Sequence, residues 1–237
     1  MDISLFVQRA AIIALPLLFA ITLHEAAHGW MAEKKGDPTA RMLGRVSANP
    51  LRHIDPFGTL ILPLILLFSG APFLFGWAKP VPVNFAGLRR PKIDMAWVAA
   101  AGPGTNLVLA LASGVACHGI VALHPEFVPF LGGGAFAIPN FAYLDGFSFW
   151  LPLLAMLKIS VGINILLMMF NLLPIPPLDG GRIAVGLLPE RQARALAAVE
   201  PVGMILVVVI VFLDPGGLMR AWFWPAISAI GRWILVG

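Results

Sequence analysis

The sequence predicts an all-α protein threaded several times through a membrane, and three observations carry that expectation. The 237-residue chain is 59% hydrophobic and only 12% charged, about half the charge of an ordinary soluble domain. Several segments reach about 20 apolar residues, the length that crosses a bilayer core. The few charges are clustered between those segments rather than spread along them. The expected architecture is polytopic, with about four to six transmembrane helices, a re-entrant apolar segment and a short extended, β-like loop near 76–90. It forms a single domain over 1–237, with a core of about 5–195 and further spans at about 200–236.

The first span runs from about Leu5 to Trp30 and ends at Glu33-Lys34-Lys35. Its start, Met-Asp-Ile-Ser, has no basic region and leads to no small-residue cleavage site, so it reads as a retained span rather than a signal peptide. A polar loop to about Asp55 follows, then Phe57–Phe75, broken by Pro63, Gly70 and Pro72. Residues 76–92 are polar, and 94–123 form a long helix interrupted only by Gly102-Pro103-Gly104. Residues 124–145 hold no Lys or Arg, and about 147–172 is the next span. A proline- and glycine-rich break at 174–181 leads to a basic stretch and the last apolar runs.

Charge sets the expected topology. The loops 32–56, 76–92 and 182–194 hold 12 of the 16 Lys and Arg residues, which places all three in the cytoplasm of a cell-membrane protein. Segment 57–75 then enters and leaves on one side, and its breaks suit a re-entrant hairpin. A plain spanning helix is the alternative. The net charge of +4 fits basic cytoplasmic loops, and no basic run interleaved with aromatics points to nucleic acid. One cysteine, Cys117, excludes an intrachain disulfide and a cysteine-based zinc cluster.

Within the first span stands His24-Glu25-Ala26-Ala27-His28. A helix turns every 3.6 residues, so the two imidazoles share a face and can hold one metal ion with Glu25 beside it. Ionisable groups in a span are costly and read as functional. Counting back from Lys34 puts them ~9 to ~15 Å below the cytoplasmic surface. A catalytic zinc takes three protein ligands and keeps one position open. The best third ligand is Asp179, where three prolines open the backbone at the end of a span. A helix cap is the competing reading for that carboxylate. Asn171 and Asn106 are candidate substrate contacts, with helix packing as their alternative. His118 and His124 lie toward the outer face, His53 is a weak ligand candidate, and Lys158 reads as a snorkelling side chain.

These motifs together resemble the site-2 protease family of intramembrane zinc metalloproteases, in its compact branch without PDZ or CBS domains. The resemblance rests on His24-Glu25-x-x-His28, on Ala101-Gly102-Pro103-x-x-Asn106, and on Asn171 to Asp179 with Gly180-Gly181-Arg182. It also rests on Gly76 to Asn84 and on Asp37-Pro38 through Asn49-Pro50. It implies one Zn2+ per chain on His24, His28 and Asp179, with Glu25 as catalytic base. The usual Asn-Pro pair is here Asn171-Leu172. The expected activity is hydrolysis of peptide bonds within or near transmembrane segments, in regulated intramembrane proteolysis or clearance of membrane peptide remnants. The expected partners are a transmembrane protein or peptide substrate and the lipid bilayer. Val81 and Val83, extended by their flanking prolines, are candidate substrate-pairing residues. A rigid capping loop is the alternative for that segment. A metal-binding scaffold and a metal transporter are the competing classes; Glu25 argues against the first, and polar groups gathered near one face argue against the second.

Overall fold

The computed structural model describes residues 3–61, 65, 69, 78–137 and 149–237. Most of 57–75, including the expected re-entrant hairpin, lies outside the described residues. Helix α1 (Ile3–Lys35), α2 (Pro91–Leu123) and α3 (Trp150–Asn171) are each long and apolar enough to cross a membrane. At 1.5 Å per residue, α1 and α2 are about 50 Å long, so they outreach a bilayer core of about 30 Å. The shorter helices α4 (Asp179–Leu187), α5 (Glu190–Ala197), α6 (Glu200–Leu213) and α7 (Trp224–Val236) follow. Helices α5 and α6 bend by 68° and count as a fourth span if they cross together. The described residues thus supply three or four candidate spans. Alone, α6 is about 20 Å long, and α7 follows directly on the helical turn Met219–Phe223.

Helix α3 is the hub. Leu151, Leu154, Ala155, Val161 and Ile165 are buried along its length. One side packs with Ala110 and Cys117 of α2 and Ile227 and Ile234 of α7; the other meets Ile12 and Ala20 of α1. Leu15, Phe19, Trp97, Val108 and Val115 are exposed on α1 and α2. In water such a surface is an aggregation liability; in lipid it costs nothing.

The basic segments meet at one end of the bundle. Lys35 pairs with buried Asp94, Lys92 bonds Glu190, and Arg182 stacks over Phe85. Asp37 joins the end of α1 to the loop before α2, accepting from the N–H and hydroxyl of Thr39 and the N–H of Asn84. Burial raises the Asp37 carboxyl, but those three donors outweigh it and hold its pKa below the usual value.

The loop expected near 76–90 is not paired into a sheet over its described part. Among the described residues no strand is present; 78–84 carries no regular structure, and Phe85–Gly87 makes a single 3-10 turn. Pro80 and Pro82 have no N–H to donate, and the N–H of Val81 is engaged by Glu25, so a ladder has few donors to build on. Lys158 also differs from its expected role. It is buried and donates to the carbonyls of Phe130 and Gly132, which end the turn Pro125–Leu131. The segment Pro125–Gly132 reaches in to meet the ammonium, so the side chain has no need to reach water.

Candidate metal centre

Helix α1 sets His24 and His28 one turn apart, with Nε2 atoms 3.1 Å from each other and rings at 88°. Asp179 arrives as the first residue of α4. One carboxylate oxygen stands 3.2 Å from His24 Nε2 and the other 3.5 Å from His28 Nε2. The cap position of α4 is Leu178, with no side-chain capping bond, so capping does not explain Asp179.

The chain folds this way because residues 172–181 turn back on themselves. A Cβ on Gly180 would lie 2.2 Å from the Leu172 carbonyl oxygen, and one on Gly181 would lie 2.2 Å from the Pro176 nitrogen. Only glycine fits that crossing. Leu173 and Leu178 anchor the turn beneath Val207 of α6.

Each imidazole is oriented from behind. His28 Nδ1 is 2.8 Å from the Val98 carbonyl, which can only accept, so Nδ1 carries the proton and Nε2 a lone pair. His24 Nδ1 meets Asn106 Oδ1 at 2.6 Å, giving it the same polarity. Two bare imidazole nitrogens and a carboxylate therefore converge with no donor between them. Asp179 Oδ2 is buried without a hydrogen-bond partner, although it lies close to His24 Nε2. Three converging acceptors repel one another unless a cation sits among them. Tetrahedral zinc with bonds of about 2.0–2.1 Å sets ligand atoms about 3.3 Å apart. Separations of 3.1, 3.2 and 3.5 Å match that spacing. The cluster is compatible with zinc.

Gly102 closes the site on the α2 side. A Cβ there would lie 2.5 Å from His24 Cε1 and 2.6 Å from His28 Nε2. Gly102 thus lets α2 lie directly against both imidazole rings.

Glu25 Oε2 accepts from the Val81 N–H at 2.8 Å. The loop that presents Val81 is tied down. Arg45 donates to the Lys79 carbonyl, and the Lys79 N–H donates to the His53 carbonyl. His53 itself is buried, with Nε2 3.1 Å from the Ser47 carbonyl. Burial lowers its pKa, against a smaller rise from that carbonyl, so its ring is a neutral loop support.

The other expected site residues fall in different places. Val81 spends its N–H on Glu25, which leaves it none for a substrate strand. Asn106 is fully buried, and its amide is used by His24, Asn164 and Ala20. It stands behind the His24 ring, with its amide already engaged. Asn171 donates back to Leu167 of its own helix, and Val83 packs beside Leu88. His118 bonds the Ile234 carbonyl and His124 pairs with Glu126, both apart from the cluster. Sequence reasoning passed over Asn164, although an amide inside an apolar span is a costly residue that asks for a partner.

An apolar helical bundle that gathers an HExxH pair and a carboxylate in a geometry compatible with zinc points to a class, a zinc-dependent metallopeptidase of the membrane. The sequence matches the profile of Peptidase family M50 over residues 12–213, and the chain belongs to that family, the site-2 protease family. A Bacillus subtilis protein named as a candidate zinc metalloprotease, YwhC, is 35% identical over 217 residues, spanning 92% of this chain and 86% of that one. Two mycobacterial proteins named as candidate zinc metalloproteases, both Rip2, are also similar. The one from Mycolicibacterium smegmatis is 31% identical and the one from Mycobacterium tuberculosis 29%, each over 89% of this chain and 69% of its own length. No solved structure matches significantly.

Proposed function

We propose that this zinc metallopeptidase cleaves peptide bonds within or near transmembrane segments of membrane proteins. His24, His28 and Asp179 hold the metal, Glu25 is the general base, and the centre opens toward the cytoplasm. The single observation that supports this reading is the convergence of two unprotonated imidazole nitrogens and one carboxylate inside an apolar bundle. Zinc bound there supplies Lewis acidity, polarising a carbonyl and acidifying water.

The chain's own residues do the rest. Glu25 accepts the proton of the attacking water and passes it to the leaving amine. The Val81 N–H keeps the Glu25 carboxylate from swinging away from the metal ligands. Apolar walls limit bulk water, and the basic end of the bundle faces the cytoplasm by charge bias. A helical substrate hides its carbonyls in its own hydrogen bonds, so it unwinds before cleavage. Asn171 and Val83 remain proposed substrate contacts on the strength of the motifs that contain them.

The test compares membrane peptide fragments produced by the parent enzyme and by Glu25→Gln. The expected result is a set of new termini within or beside spans that vanish in Glu25→Gln, while zinc content is unchanged. Equal fragments from both proteins would refute the assignment of Glu25. Cleavage confined to soluble regions would refute the substrate class.

A further inference from the structure

Behind His24 a line of hydrogen bonds runs across three helices. Asn106 Oδ1 faces His24 Nδ1 at 2.6 Å, Asn106 Nδ2 donates to Asn164 Oδ1 at 2.8 Å, and Asn164 Nδ2 donates to the Ser160 carbonyl at 2.8 Å. Asn106 and Asn164 are 0% and 1% exposed. Each amide can be turned end for end without changing its shape, so the direction of the line needs a fixed point. The Ser160 carbonyl is that point, because a backbone oxygen only accepts. Asn164 must turn its NH2 to Ser160, which presents Oδ1 to Asn106. Asn106 must then donate with its NH2, which presents Oδ1 to His24. His24 must put its proton on Nδ1, which bares Nε2 toward Asp179.

We infer that Asn164 is a positioning residue for the metal centre: through Asn106 it sets the tautomer and orientation of His24. The two histidines thus reach the same state by different routes. His28 is set directly by the Val98 carbonyl, and His24 indirectly by the Ser160 carbonyl two amides away. The Ala20 carbonyl adds a longer contact to Asn106 Nδ2, at 3.4 Å. Asn164 also borders a cleft of about 280 Å³ lined by Leu15, Phe19, Met156 and Leu157, so an apolar side chain at 164 has space to fit.

This inference rests on the proposed ligand set, and the experiment separates the two. Zinc affinity of the full-length detergent-purified protein is measured by chelator competition, alongside the visible absorption of the cobalt-loaded form. The proteins are the parent, Asn164→Leu, Asn164→Ala, Asn106→Leu, the Asn106→Leu/Asn164→Leu double variant, His24→Ala and Asp179→Ala. Outer-shell partners of metal-bound histidines typically contribute 10–100-fold in affinity, so Asn106→Leu should lose that range and Asn164→Leu roughly tenfold. Both should alter the cobalt spectrum. The double variant should bind as Asn106→Leu does, because Asn164 acts only through Asn106. Unchanged affinity and spectrum in Asn164→Leu, or losses that add in the double variant, would overturn the inference. So would failure of both Asn164 variants to fold, which would mark a structural role. If His24→Ala and Asp179→Ala bind zinc like the parent, the ligand assignment itself fails. If they lose zinc while the Asn164 variants keep it, only the relay fails.

Discussion

Gly102→Ala separates the stability of the bundle from the integrity of its metal centre, because the second should suffer far more than the first. Gly102 lies inside α2, where alanine is favoured over glycine by about 1 kcal/mol in helix propensity. The added methyl would stand 2.5 Å from His24 Cε1 and 2.6 Å from both Cε1 and Nε2 of His28. Ordinary carbon contacts are about 3.5–4.0 Å, so the rings must retreat by about 1 Å. Metal sites tolerate about 0.2 Å in ligand distance. A 1 Å misplacement of catalytic groups costs on the order of 100-fold in rate. The expected outcome is a folded protein with an unchanged or modestly lowered melting temperature, because overpacking costs about 1–3 kcal/mol against that helix gain. Its zinc affinity and its cleavage of a membrane-peptide substrate should each fall by about 100-fold or more. Chelator competition, thermal melts and a fragment assay on one preparation read all three. Parent-like zinc affinity in a folded Gly102→Ala protein would refute the close packing of α2 on the imidazoles.

Two further predictions probe the frame around the site. Lys158→Met should leave the carbonyls of Phe130 and Gly132 without their donor, at about 1–3 kcal/mol for each buried acceptor. The check is faster hydrogen exchange or proteolysis in 125–135 with a lower melting temperature, and an unaltered segment there would contradict it. Asp37 has a folded pKa below its ordinary value of 3.8, so its contribution is fully present above that value and lost as pH falls through the lowered one. Melting temperature plotted against pH should therefore drop less steeply below about pH 4 for Asp37→Asn than for the parent; identical slopes would count against the Asp37 bonds to Thr39 and Asn84.

The parts of the site legible in the sequence are those that local geometry dictates. His24 and His28 are one helical turn apart on any α-helix, and their cost in an apolar span marks them as functional. Asp179 was legible because three prolines forbid a regular helix around it. The three longest helices could be read from apolar length alone. Other features depend on contacts between distant segments, which spacing does not encode. Gly102 is silent until α2 is laid against α1. Asn164 gains meaning only when Asn106, 58 residues away, turns its amide toward it. Lys158 looks like a residue seeking water until the loop after α2 brings two carbonyls to it. The substrate pairing expected of Val81 and Val83 reads proline-extended backbone as an open edge, while the Val81 N–H is bonded to Glu25.

The most direct test of the metal centre is X-ray absorption at the zinc edge on purified parent and Asp179→Ala protein. The parent should show about one zinc per chain in a shell of nitrogen and oxygen at about 2.0–2.1 Å, with imidazole outer-shell scattering from two histidines. Asp179→Ala should lose the metal or one light ligand. A sulfur neighbour in the parent, or an identical shell in Asp179→Ala, would contradict the assignment of His24, His28 and Asp179.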